Sequence, residues 1–215
     1  MDVYFAPLAC SLATRIALDE ARLPATFHEV DPLTRRTLDD GADYRAVNPL
    51  GLVPTIRTDG GEILTENAAV LQYVADRAPG AGLAPTDALG RARLQQWLSF
   101  IGTELHKGLF APLFDRHAPE AVKAFALEKG APRLALLNEH LTGREWLLDG
   151  FTVADAFLGT VLNWTAAAPV DLAPYPALAA YLARARKRPS VARAIAVELP
   201  LYRAELERLA RDAAA

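Results

Sequence analysis

Four short stretches carry residue types able to do chemistry. Ala9-Cys10-Ser11 holds the only cysteine of the chain, where a strand-like run stops at Pro7 and a helix-like run begins. A lone thiol is commonly a small buried hydrophobe; at a helix N-terminus the dipole favours the thiolate instead. In Val53-Pro54 a proline interrupts a strand-like run, which places it at an edge, a bulge or a cis bond. In cis, the Val53 backbone N–H and C=O would be free for an extended ligand. Thr65-Glu66-Asn67 ends one strand pattern and opens a helix. Free N–H groups and positive dipole charge gather at such a point and suit a carboxylate, while Glu66 can hold an adjacent ammonium. Together they fit the head of an amino acid, and ordinary N-capping is the alternative. Glu104-Leu105-His106-Lys107 closes a long helical pattern. Ser99, Gly102 or Thr103, and His106 follow one another at 3–4 spacing beside the apolar stripe. His106 and Lys107 there offer positive charge to an anion or thiolate, or form a solvated helix end.

The elements that must position these residues alternate in type over the first eighty positions. Val3–Ala6 reads as a strand, Ser11–Arg22 as a helix with Leu12 and Ile16 on its apolar face, and Thr26–Val30 as a second strand. Strand–helix–strand order favours parallel pairing. After an irregular stretch with a short helix near Asp40–Ala46, Leu52–Arg57 and Glu62–Thr65 form a hairpin about Thr58-Asp59-Gly60-Gly61. Glu66–Arg77 is helical. The breaker-rich run Ala78-Pro79-Gly80-Ala81-Gly82-Leu83-Ala84-Pro85 reads as a linker, and no strand pattern follows it. Helices are expected from Ala88 to about Gly108, then over Pro119–Leu141, Val153–Ala167, Ala177–Lys187 and Val191–Glu198, with a last one from Leu201. Residues 213–215 are expected to fray. Thr152 and Asp155 form a capping-box pair whose work is folding rather than catalysis.

Composition removes other classes. A net charge of −3 with scattered basic groups does not suit nucleic acid. One cysteine permits no internal disulfide, and four scattered histidines give no metal-ligand spacing. There is no phosphate-cradling glycine loop and no nucleophile elbow. The N-terminus lacks the pattern of a signal peptide, and no apolar run approaches the ~18 residues needed to span a bilayer. A cytoplasmic protein is expected, with no metal, no nucleic acid and no membrane partner.

Ala9-Cys10-Ser11-Leu12-Ala13, Asn48-Pro49-Leu50-Gly51-Leu52-Val53-Pro54, Leu64-Thr65-Glu66-Asn67, Thr103-Glu104-Leu105-His106-Lys107-Gly108 and Phe151-Thr152-Val153-Ala154-Asp155 occur in that order. Together they resemble the cytosolic glutathione transferases over essentially the whole chain, and most of all the bacterial beta class. The resemblance implies a thioredoxin-like α/β N-terminal domain (1–78), a linker (79–87) and an all-α helical bundle (88–215), in a homodimer. It makes Pro54 a cis-proline and gives Leu52 and Val53 to the cysteinyl part of glutathione. Glu66 and Asn67 then hold the γ-glutamyl end, Lys107 lies beside the glycyl end, and Arg35 or Arg36 lies near the glycine carboxylate. Ser11 joins the glutathione site. Cys10 and His106 face the glutathione sulfur as the catalytic pair, the helix N-terminus at Cys10–Ser11 and His106 stabilising the thiolate. Leu109, Phe110, Phe114 and Trp164 would line the pocket of a hydrophobic electrophile, core packing being their other reading. The implied activity is conjugation of glutathione, as co-substrate, to that electrophile in detoxification. The alternatives are disulfide or peroxide reduction through Cys10, and a non-catalytic glutathione-fold scaffold.

Overall fold

A computed structural model describes residues 1–212; the expected fraying of 213–215 lies outside the described residues. The chain divides into two compact units, Met1–Ala81 with the chain from Pro189 onward, and Gly82–Arg188.

The first unit is built on a four-stranded sheet in the order β2-β1-β3-β4, from β1 (Asp2–Phe5), β2 (Thr26–Glu29), β3 (Thr55–Arg57) and β4 (Ile63–Thr65). β1 runs parallel to β2, across α1 (Leu12–Ala21), and antiparallel to β3; β3 and β4 form the antiparallel hairpin. The buried side chains Val3, Phe5, Leu12, Ile16, Ile56, Val70 and Val74 build its core, the last two from α2 (Asn67–Arg77). These directions bring the C-terminal ends of β1, β2 and β4 and the N-terminal end of β3 to one end of the sheet. In α/β sheets ligands sit outside the carboxyl ends of strands. Here that end collects the loops carrying Cys10, Arg35 and Arg36, Val53-Pro54 and Glu66-Asn67.

The last helix of this unit, α8 (Pro189–Asp212), runs unbroken through Pro200. The sequence divides it there, because proline lacks an N–H and clashes with the preceding turn. It is anchored on both sides of that proline: Glu198 pairs with Arg15 of α1 at 2.7 Å, and Arg208 pairs with Glu29 of β2 at 2.7 Å. The sequence reading groups this helix with an 88–215 domain, whereas its packing joins it to the first unit. Ion pairs between positions about 180 apart leave no local pattern.

The second unit is helical: α3 (Ala88–Phe100), a π-helical segment Ile101–Phe110, α4 (Ala111–Phe114), α5 (Glu120–Leu141), α6 (Val153–Asn163) and α7 (Pro176–Lys187). The capping box at α6 is formed, Thr152 N–H and Oγ1 meeting Asp155 Oδ2 at 2.9 and 3.0 Å. Asp155 Oδ1 also accepts from Leu147 N–H and Tyr181 O–H, so this nearly inaccessible carboxylate organises the unit's interior. Its chemistry is internal to the fold, as the sequence suggests. No helix among the described residues is long and apolar enough to cross a membrane.

Candidate active site

Cys10 lies in the turn between β1 and α1, 7% exposed. The amides of Leu12, Ala13 and Thr14 bond back to Ala9, Cys10 and Ser11, so the helix tightens directly onto the cysteine. Its Sγ lies 3.1 Å from the Val53 carbonyl oxygen. A carbonyl only accepts, so in this arrangement the sulfur is a thiol donating its proton. Ser11 is fully buried and exchanges hydrogen bonds with the Ala6 backbone at 3.2 Å, N–H to Oγ and Oγ to carbonyl. Its hydroxyl secures the turn rather than facing outward.

The turn is held from the far end of the chain. Glu198 of α8, buried, accepts from Leu8 N–H at 2.8 Å and from Arg15 Nε at 2.7 Å. Leu8 stands at φ 55°, a left-handed conformation uncommon for a leucine. Burial raises the Glu198 carboxyl above its usual range, against the lowering by Arg15. Sequence reasoning missed Glu198. Its one signal is an acid on the buried face of α8, in register with Val191 and Ala194.

The Val53–Pro54 peptide is cis, as the resemblance implies. Val53 is half-buried against Tyr4, Val30 and Tyr44. The Leu52 carbonyl is occupied by Tyr44 and Asn48, leaving Leu52 an exposed side chain at the rim. Of the two arginines, Arg35 lies along Gly51, where a Cβ would come 3.2 Å from its Cδ; Gly51 at φ 63° keeps that approach open. Arg36 is turned away to the Gly41 carbonyl.

At the head of α2, Glu66 is exposed at φ 67°, and its carboxylate has no partner among the described residues. Asn67 is 7% exposed, and its Oδ1 is a buried acceptor with no hydrogen bond. Strained backbone and an unsatisfied buried polar atom coincide at a helix N-terminus, the combination expected where a ligand completes the structure.

In the second unit, the π-helical segment carries Thr103, Glu104, His106 and Lys107. Its buried side chains are Ile101, Leu105, Leu109 and Phe110, with Gly102 and His106 half-buried beside them and Ser99 and Thr103 exposed. Glu104 pairs with Arg133 of α5 at 2.9 Å, and Leu109 fills the space beside Gly130, where a Cβ would stand 2.6 Å from Leu109 Cδ1. His106 lies edge-on to Trp164 and Phe157, with centroids 5.1 and 6.2 Å apart. Burial, then Lys107, lowers its pKa to about 4. The positive charge expected of His106 is therefore absent at neutral pH: the imidazole is neutral, and Lys107 is the exposed cation. Leu109 and Phe110 are 1% and 0% exposed and belong to the core. Phe114, 43% exposed, and the half-buried Trp164, 5.8 Å apart, are the aromatic surface that remains. Among the described residues no group of three or more His, Cys, Asp or Glu is placed to hold a metal.

Known proteins resemble this chain over most of its length. Residues 9–77 match the family described as "Glutathione S-transferase, N-terminal domain" and residues 106–184 the "Glutathione S-transferase, C-terminal domain". Glutathione S-transferase GstA of Escherichia coli O157:H7 is 40% identical over 92% of this chain and 98% of its own. A sphingomonad glutathione S-transferase solved in complex with glutathione is 43% identical, with a TM-score of 0.88 over 92% of this chain and 98% of that one. A bacterial beta class glutathione S-transferase from Sphingomonas chungbukensis is 42% identical, also with a TM-score of 0.88, over 92% and 98%. The chain belongs to the glutathione S-transferase family.

Proposed function

We propose that the chain binds glutathione on its first unit and conjugates it, through its sulfur, to a hydrophobic electrophile. The observation that carries this reading is the row of groups at one sheet end. It comprises the Glu66 carboxylate and the Asn67 Oδ1 at a helix head, both without a partner among the described residues, the Val53 backbone and the Cys10 thiol. The two oxygen acceptors, Glu66 and Asn67 Oδ1, suit an ammonium, the N–H groups at the head of α2 suit a carboxylate, the Val53 backbone a peptide and Cys10 a thiol. Arg35 rather than Arg36 is assigned to the glycine carboxylate; the family resemblance also gives Lys107 a role at the glycyl end. Ser11 and Leu52 serve by shaping the backbone.

A free thiol has a pKa of ~8.5, and lowering it by two units requires about 2.7 kcal/mol of preferential thiolate stabilisation. Donors aimed at the sulfur supply this: the Cys10 S–H, redirected from the Val53 carbonyl, and the positive end of α1. The role at the sulfur that the family resemblance gives His106 is that of a neutral hydrogen-bond donor. The thiolate attacks the electrophilic carbon, the C–S bond forms as the leaving group departs with its electron pair, and the thiol proton goes to solvent. Phe114 and Trp164 are assigned to the electrophile. Detoxification in the bacterial cytoplasm by a homodimer is the setting this family membership favours.

Replacing Cys10 by Ala tests the assignment. Conjugation of an aryl halide should persist at a reduced rate. Loss of glutathione-dependent disulfide reduction with conjugation untouched would instead make Cys10 a redox residue, attacking the disulfide through a mixed disulfide.

A further inference from the structure

The segment that presents Val53 is fastened from beneath by a closed set of hydrogen bonds. Tyr44 O–H donates to the Leu52 carbonyl at 2.8 Å, and Thr55 Oγ1 lies 2.6 Å from the same phenolic oxygen. A phenol has one proton, so the Thr55 hydroxyl is the donor in the second contact. Asn48 Nδ2 uses both its protons, on Leu52 O at 2.8 Å and Thr55 Oγ1 at 3.2 Å, while its Oδ1 accepts from Leu50 N–H at 3.1 Å. Tyr44 and Thr55 are fully buried and Asn48 is 4% exposed. Burying three polar side chains is tolerable only when every group is satisfied, and such a network then imposes one geometry.

That geometry reaches the candidate site through a single peptide plane. The Leu52 carbonyl and the Val53 N–H belong to the same planar trans peptide and point in opposite directions. Drawing Leu52 O inward with two donors therefore turns Val53 N–H outward, where no described residue accepts it. The Tyr44 ring adds a second hold, since Val53 packs against the cluster of Tyr4, Val30 and Tyr44.

We infer that Tyr44, with Asn48 and Thr55, is a positioning residue for glutathione: it aims the Val53 N–H at the ligand's peptide without touching the ligand. The inference rests on the glutathione reading above. It predicts that loss of the Tyr44 hydroxyl weakens glutathione binding while turnover of bound substrate persists.

Calorimetric titration of the full chain with glutathione tests it, alongside KM and kcat for aryl-halide conjugation. Tyr44→Phe and Thr55→Val should each raise Kd and the KM for glutathione about fivefold, the worth of one net hydrogen bond, with kcat retained. Thr55→Ser, which keeps a hydroxyl, should restore wild-type affinity. Tyr181→Phe removes a comparably buried hydroxyl, from Asp155 in the other unit, and should lower the melting temperature without moving Kd. Unchanged affinity in both Tyr44→Phe and Thr55→Val overturns the inference. So does an equal weakening in Tyr181→Phe, which would signify general loosening. If Tyr44→Phe does not fold, Thr55→Val decides alone. Failure of the wild type to bind glutathione would overturn the glutathione reading itself, and this inference with it.

Discussion

Glu205 gives the most quantitative forecast. It lies on the inner face of α8, 8% exposed, with no hydrogen bond to its Oε2. Glu29 and Asp31 face it from β2 and the loop that follows, and Arg208 lies one turn along its own helix. Arg208 bonds Glu29 at 2.7 Å and stands 4.0 Å from Asp31, so three carboxylates share one guanidinium. Burial, then the Glu29 charge, raises Glu205 from 4.5 to about 7, while Arg208 opposes the shift and Asp31 adds to it. The folded chain therefore keeps a proton that the unfolded chain releases. Stability from this group is full below the unfolded pKa, 4.5, and is lost as the pH rises through about 7. The difference between those values corresponds to about 3 kcal/mol. Glu205→Gln keeps the shape and removes the titration. At constant ionic strength, thermal melts should show the variant gaining on the wild type as pH rises from 4.5 to 8. About 2–4 °C per kcal/mol for a chain of this size gives a total near 10 °C. A difference between variant and wild type that does not change with pH would refute the reasoning.

Three other outcomes follow from the same structure. The proton NMR titration of His106 should have its midpoint near 4, and its ionisation should be missing from the conjugation profile between about pH 6 and 9; a midpoint near the ordinary 6.5 would restore the charged imidazole. Glu198→Ala leaves Arg15 and the Leu8 N–H without their acceptor and should cost about 3–5 kcal/mol in urea unfolding, with a smaller loss for Glu198→Gln, which can still accept from Leu8. Gly130→Ala drives a methyl into Leu109 beneath the π-helical segment and should destabilise by about 1–3 kcal/mol; a neutral result would mean that Leu109 moves aside freely.

What the sequence disclosed was local. Pro54 inside a strand pattern, the Gly60-Gly61 turn and the Thr152–Asp155 box each act within a few residues, and each is where expected. The apolar periodicity that identifies a helix is equally local, so the helix boundaries are close. The departures arise from distant contacts. Pro200 ends a helix by propensity, yet α8 continues, with Glu198 and Arg208 fastened to partners from the start of the chain. His106 looks cationic until Trp164 and Phe157 surround it. Leu109 and Phe110 read equally as pocket lining or as core, and their burial, with Leu109 filling the space beside Gly130, makes them core. Tyr44 and Asn48 carry no chemical signature in sequence, because their work is to hold a carbonyl several residues away.

A crystal structure of the chain grown with glutathione would test the central claim most directly. The account predicts the γ-glutamyl carboxylate at the head of α2 beside Asn67, its ammonium on Glu66, the cysteinyl backbone paired with Val53 and the sulfur within hydrogen-bond reach of Cys10. Glutathione bound elsewhere, or lying in the reverse direction along this sheet end, would contradict it.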